Sequence, residues 1–134
     1  MPGPNATIYP ALTYDDPKGA ITFLNRAFGF EELMVVPGEE AGSIRHAEMS
    51  LGGAVIMLGS SRPEMGWVTP KDLPAVAQTL YVAIDNVDAH YAQAKAAGAE
   101  ITRDLNDTDY GSREYGAKDL EGHHWSFGTY RPAV

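Results

Sequence analysis

His46 and Glu48 stand two residues apart in the run IRHAEMSLGGAVIMLG, and His124 follows far downstream in DLEGHHWSFG. Alternate residues of a strand share a face, so the imidazole and carboxylate at 46 and 48 project together. Three chemistries suit such a set. With His124 on the same face, the three could form a metal site, because imidazole and carboxylate are the usual ligands of divalent ions. Glu48 beside Arg113 or Tyr115 could act as a general acid/base pair, or as a plain salt bridge that anchors a ligand. The third reading is a hydrogen-bonded polar cluster in a partly buried cup. Nucleophilic and phosphate chemistry have no support. The chain has no cysteine, no G-x-S-x-G elbow and no phosphate-binding glycine motif.

Aromatic residues supply the other candidates. Trp67 either closes over a cup and stacks on a planar ligand or packs on the domain edge. Tyr110 and Arg113, in the loop DYGSREYG, are ligand-contact candidates, and Gly111 permits the turn near them. By strand parity, His123 belongs to the opposite face, and His90 falls on an exposed helix flank.

These side chains are positioned by a repeat. Residues 12–32, LTYDDPKGAITFLNRAFGFEE, and 81–101, YVAIDNVDAHYAQAKAAGAEI, share one order of punctuation. Each runs from a strand through an Asp turn and one helix to a glycine, and strand-like sequence follows. Asp16 and Asp85 are 69 positions apart, as are Gly29 and Gly98. We read two copies of a β-α-β-β-β module, at about 7–58 and 78–131, joined by the proline-rich linker 59–77 within a single domain, 1–134. Asp16 caps the first helix, Pro17 opens it, and Ala20, Phe23, Leu24 and Ala27 form its apolar stripe. Asp85 or Asn86 caps the second, with Val87, Tyr91 and Ala94 on one face. A short helical turn is expected after Thr69-Pro70.

Parity then divides the strands. Pro10, Leu12 and Tyr14 face the helices, as do Leu80, Val82 and Ile84; Tyr9, Ala11 and Thr13, with Thr79, Tyr81 and Ala83, face away. A turn at Gly52-Gly53 pairs Leu51 with Ala54, Met49 with Ile56 and Glu48 with Met57. A last hairpin turning at residues 119–122 pairs Tyr115 with Ser126 and Ala117 with His124, leaving Trp125 and Phe127 in the core. The face away from the helices thus collects Tyr9, His46, Glu48, Met57, Trp67, Thr79, Tyr81, Arg113, Tyr115, His124 and Ser126, the expected ligand-binding set of a cup. An ordinary solvated sheet face is the alternative.

Composition bounds the rest. The 134 residues carry 10 Lys+Arg against 18 Asp+Glu, a net charge of −8. That balance argues against nucleic acid and suits a cationic or neutral ligand better than an anionic one. No apolar run is long enough to span a membrane, and the start, MPGPNATIYP, has no leader pattern, so the expected location is cytoplasmic.

The paired modules, DDPKGAITFLNRAFGF, and the D-x-x-G-H-x-W-S-F-G ending together resemble the vicinal oxygen chelate superfamily, also called glyoxalase/bleomycin-resistance/dioxygenase. The HAEMSLGGAVIMLG hairpin and the DLEGHHWSFGTYRP ending look most like its PhnB-like branch. The resemblance spans about residues 7–131. It implies an α+β fold: two βαβββ modules form a cup-shaped curved mixed sheet with helices outside, often as a homodimer. It also implies a divalent metal in catalytic members, held by His or Glu on the first and last strands of each module. Those positions fall here at Tyr9, Met57, Thr79 and Ser126, none a usual ligand, and the neighbours Ile8, Pro10, Ile56 and Leu80 cannot ligate either. The expectation is therefore no cofactor and metal-independent binding of a small molecule, by analogy with bleomycin-type resistance proteins. The alternative is a metal-dependent lyase, isomerase or dioxygenase with displaced ligands at His46, Glu48 and His124.

Overall fold

In the computed structural model, residues 6–133 are described; the first five positions, part of the stretch read above as lacking a leader, lie outside them. Strand β1 (Ala11–Tyr14) leads into α1 (Pro17–Phe23), then β2 (Glu31–Pro37), β3 (Ile44–Leu51) and β4 (Ala54–Ser60). The second half repeats this order with β5 (Leu80–Ala83), α2 (Val87–Ala96), β6 (Glu100–Asp107), β7 (Arg113–Lys118) and β8 (His124–Gly128). The two halves build separate four-stranded mixed sheets, ordered β1-β4-β3-β2 and β5-β8-β7-β6, with one parallel pair in each. Single 3₁₀ turns at Pro63–Met65 and Pro70–Asp72 punctuate the connection.

The helices differ by one residue, and the structure shows where it goes. Asp16 caps α1 through the Gly19 N–H, whereas Asn86, rather than Asp85, caps α2 through the Ala89 N–H. The caps are 70 positions apart, yet the left-handed glycines that end the helices, Gly29 and Gly98, are 69 apart. A π turn at Leu24–Phe28 absorbs the extra residue within the first helix. The carbonyls at its end receive donors from the other module: Gln93 Nε2 reaches the Arg26 oxygen at 2.9 Å and His90 Nε2 the Phe28 oxygen at 2.8 Å.

The turn at Gly52-Gly53 sets the expected register, Leu51 opposite Ala54, Met49 opposite Ile56 and Glu48 opposite Met57. The last hairpin is different. Asp119 N–H bonds the His123 carbonyl around a three-residue loop ending in Gly122 at φ 90°, which pairs Tyr115 with Phe127 and Gly116 with Ser126. The loop is one residue shorter than the sequence suggests, so every β7 side chain changes face. Tyr115 and Ala117 are fully buried in the core, and Glu114, Gly116 and Lys118 take the open face.

One core serves both sheets. Leu12, Tyr14, Met49, Ile56 and Leu58 of the first join Tyr115, Trp125 and Phe127 of the second, with Phe23, Leu24 and Phe28 between. Phe28 lies 4.7 Å from Phe127 and 5.5 Å from Trp125, ring centre to ring centre. His90 is no exposed flank residue: it packs 4.4 Å from Phe127 and accepts the Tyr115 hydroxyl proton at Nδ1, 2.6 Å away. Both helix-covered faces are therefore turned into one interior.

A polar clamp closes this joint. Asp119 accepts from the Tyr14 hydroxyl at 2.6 Å, the Trp125 indole at 3.1 Å, and the N–H groups of Glu121 and His123. The Glu121 carboxylate accepts from the N–H groups of Asp15 and Asp16, at 2.7 and 2.8 Å, and from the Thr69 hydroxyl. It thus sits where the α1 dipole favours an anion. His123 donates to the Thr13 carbonyl, so its role is structural. Burial first, then the Asp119 charge, holds the Tyr14 hydroxyl well above its ordinary pKa. The D-x-x-G-H-x-W segment is the fastener between modules.

Candidate functional site

On the open face of the first sheet, β3 and β4 place His46, Glu48 and Met57 side by side. The Glu48–Met57 pair is in register, and His46 Nε2 lies 2.8 Å from a Glu48 oxygen. A cavity of about 350 Å³ opens here, lined in part by Thr13, Arg45, His46, Met57, Arg62 and Trp67. That volume is at the lower end of the range for small-molecule sites. Trp67 is half exposed and forms one wall. Tyr9 precedes β1, exposed, its hydroxyl bonded to the Ala6 carbonyl.

The second open face centres on Glu114, which the sequence reading did not single out. Its buried carboxylate meets Arg103 at 3.5 Å and the Tyr110 hydroxyl at 3.0 Å. The hydrogen bond to Glu114 raises the Tyr110 pKa, and burial raises that of Tyr81, whose hydroxyl donates to the Tyr130 carbonyl. Gly116 and Gly128 make room for this cluster. A Cβ at Gly128 would fall 2.6 Å from Glu114 Cγ and 2.7 Å from the Tyr81 oxygen.

The expected residues are thus divided. His46, Glu48, Met57 and Trp67 share the first open face, while Tyr81 and Ser126 share the second, paired across β5 and β8. His124 begins β8, and Thr79 donates to its carbonyl at 3.1 Å. Tyr115 lies in the core. Arg113 turns to the helix side, bonding Asp88 at 2.7 Å and Asp107 at 3.2 Å, so it meets neither Glu48 nor the open face. Both corrections follow from the one-residue shift in β7.

The residues at the expected metal positions do not fit a divalent ion. Met57 offers a thioether beside Ala11, Ser126 a hydroxyl beside Tyr81, and Tyr9 and Thr79 hydroxyls outside the strands. Among the described residues no three His, Asp or Glu side chains converge in one group, so His46, Glu48 and His124 are not brought together. Sequence reasoning missed two residues at the cavity: Arg45 on β3 and Arg62 in the connection. The signal for Arg62 was the Arg-Pro-Glu-Met-Gly-Trp turn, which places a cation and an indole at the two ends of one tight loop.

Comparison with known proteins agrees with this architecture. The chain is 36% identical over 122 residues to uncharacterized proteins of Mycobacterium bovis and Mycobacterium tuberculosis, covering 89% of this chain and 80% and 71% of theirs. It is similar in structure to TioX from Micromonospora sp. ML1, with a TM-score of 0.75 and 33% identity over 95% of this chain and 100% of that one. A mutant of the fosfomycin resistance protein FosX from Listeria monocytogenes, complexed with Mn(II) and 1S,2S-dihydroxypropylphosphonic acid, shares the fold. Its TM-score is 0.66 at 16% identity, covering 92% of this chain and 88% of that one. The profile of the glyoxalase group matches residues 8–127. The chain belongs to the Glyoxalase/Bleomycin resistance protein/Dioxygenase superfamily.

Proposed function

We propose that this protein binds a small organic molecule on its open sheet faces without metal chemistry, as a cytoplasmic homodimer. The observation that carries the reading is the cavity on the first open face, with an exposed indole wall and no metal-competent donor set at the superfamily's positions. Within the superfamily we place the chain beside the PhnB-like branch, on its HAEMSLGGAVIMLG hairpin and its ending. The homodimer rests on two features. Among the described residues, strands β1 and β5 are edge strands, as are β2 and β6, and an edge can pair with a second copy. The two halves also form separate four-stranded sheets, and a second copy would bring the open face of one against that of the other to enclose a deeper cup. The ligand-binding set is then Tyr9, His46, Glu48, Met57 and Trp67 from one copy with Thr79, Tyr81, His124 and Ser126 from the other.

Two measurements test this reading. Light scattering should give twice the 14.5 kDa chain mass; a monomer at micromolar concentration overturns the dimer. A thermal-shift screen of small organic molecules should yield stabilisers in the presence of a chelator. Stoichiometric Fe, Mn, Ni or Zn that supports turnover overturns the metal-independent reading. The 2.8 Å His46–Glu48 contact favours a second reading, an enzyme using that pair as acid and base. Glu48→Ala separates them: it abolishes turnover in an enzyme and only changes affinity in a binding protein.

A further inference from the structure

Arg62 and Trp67 exchange both backbone hydrogen bonds, Arg62 N–H to the Trp67 carbonyl at 2.7 Å and Trp67 N–H to the Arg62 carbonyl at 3.1 Å. Residues paired in this way sit about 5.5 Å apart at Cα and send their side chains to the same side. The loop between them is fixed as well. Met65 N–H bonds the Arg62 carbonyl, Gly66 N–H bonds that of Pro63, and Gly66 adopts φ +81°. Ser61 ties the base of the loop to β1 through the Tyr14 carbonyl and the Asp15 carboxylate. A guanidinium and an indole are therefore held beside one another on a rigid clip, both lining the cavity.

Arg45 lines the same cavity from β3, where the Ser60 hydroxyl bonds the carbonyl of the preceding residue at 2.9 Å. Among the described residues neither Arg45 nor Arg62 has an ion-pair partner, although the chain carries a net charge of −8. Glu39 and Glu40 line the adjoining cleft without pairing with either arginine, and Glu48 is engaged by His46. Trp67 is 52% exposed and lines the cavity, within reach of a ligand.

We infer that the cavity takes a planar aromatic anion, its ring stacked on Trp67 and its carboxylate or like group held by Arg62 and Arg45. Guanidinium matches a carboxylate with two parallel N–H bonds, and the indole selects a flat apolar body. This inference rests on the small-molecule reading above and reverses the ligand charge suggested by overall composition.

The test uses three probes of one shape on the full chain: 2-naphthoate, 2-naphthamide and 2-naphthylmethylammonium, titrated by calorimetry. Naphthoate should bind about tenfold or more tightly than the amide, with the ammonium weakest. Arg45→Gln/Arg62→Gln should erase the preference for the acid while leaving amide binding in place. Trp67→Ala should weaken acid and amide together. Equal binding of acid and amide, or tighter binding of the ammonium, overturns the anion inference while leaving the small-molecule reading intact. Binding of none of the three at 10 mM also overturns it; the unbiased screen above then judges the broader reading separately.

Discussion

Replacing Glu121 by Gln isolates the clamp between the modules. Glu121 is 6% exposed, and its carboxylate accepts three hydrogen bonds, from the backbone N–H groups of Asp15 and Asp16 just before α1 and from Thr69. An amide keeps one acceptor oxygen and turns its other end into a donor. One of the two N–H groups must then face another N–H, and the remaining bonds lose their charge assistance. Hydrogen bonds to a charged group contribute about 1.5–3 kcal/mol net, and an orphaned buried donor costs about 1–3 kcal/mol, so the variant should lose about 2–4 kcal/mol. With a urea slope of about 1–3 kcal/mol/M, the midpoint falls by roughly 1–2 M. Unfolding should be followed by circular dichroism and tryptophan emission at one protein concentration, since association adds to apparent stability. Leu120→Ala, at an exposed position one residue away, should stay within about 0.5 kcal/mol. A Glu121→Gln loss below 0.5 kcal/mol, or one matched by Leu120→Ala, refutes the clamp.

Three further outcomes follow from the same structure. Burial lowers the His90 pKa, so the ring is neutral in the fold, with its Nε2 proton given to Phe28 and Nδ1 accepting from Tyr115. Its folded value lies below the unfolded 6.5, so its contribution is intact above about pH 6.5 and is lost as pH falls from there towards the folded value. Proton titration of the His90 ring by NMR should give a midpoint below 6.5; a midpoint above it refutes the buried neutral state. Gly128→Ala should cost about 1–3 kcal/mol in thermal unfolding, because the new methyl meets Glu114 and Tyr81, while Gly53→Ala, with nothing within 4 Å, should be near neutral. Phe28→Ala should cost about 3–5 kcal/mol in denaturant titration, since its ring fills the core between the two sheets.

The features legible in the sequence were those set by short-range rules. Two glycines at 52–53 fix a hairpin register locally, and Asp16-Pro17 starts a helix by capping chemistry alone. The β7–β8 turn was misread because four residues can close it by two routes, and only φ 90° at Gly122 with the Asp119–His123 bond selects the shorter. That one slip moved Tyr115 and Arg113 onto the wrong face and hid Glu114. His90 looked exposed because α2 alone gives no reason to bury it; the Phe28 carbonyl that binds it comes from the other module. Arg62 was hidden for a similar reason, since its partner Trp67 matters only once the loop between them is closed.

The clamp also bears on how the chain is made. Glu121 and Asp119 reach residues 14–16 across 105 or 106 positions, nearly the whole chain. During synthesis the first module leaves the ribosome before Glu121, which accepts from the Asp15 and Asp16 N–H groups in the fold, has been made; until then water takes its place. Closing so long a loop is slow, and the half-built intermediate exposes the apolar face that Trp125 and Phe127 later cover. The hairpin that carries Asp119 and Glu121 is therefore the step that joins the second module to the start of the first.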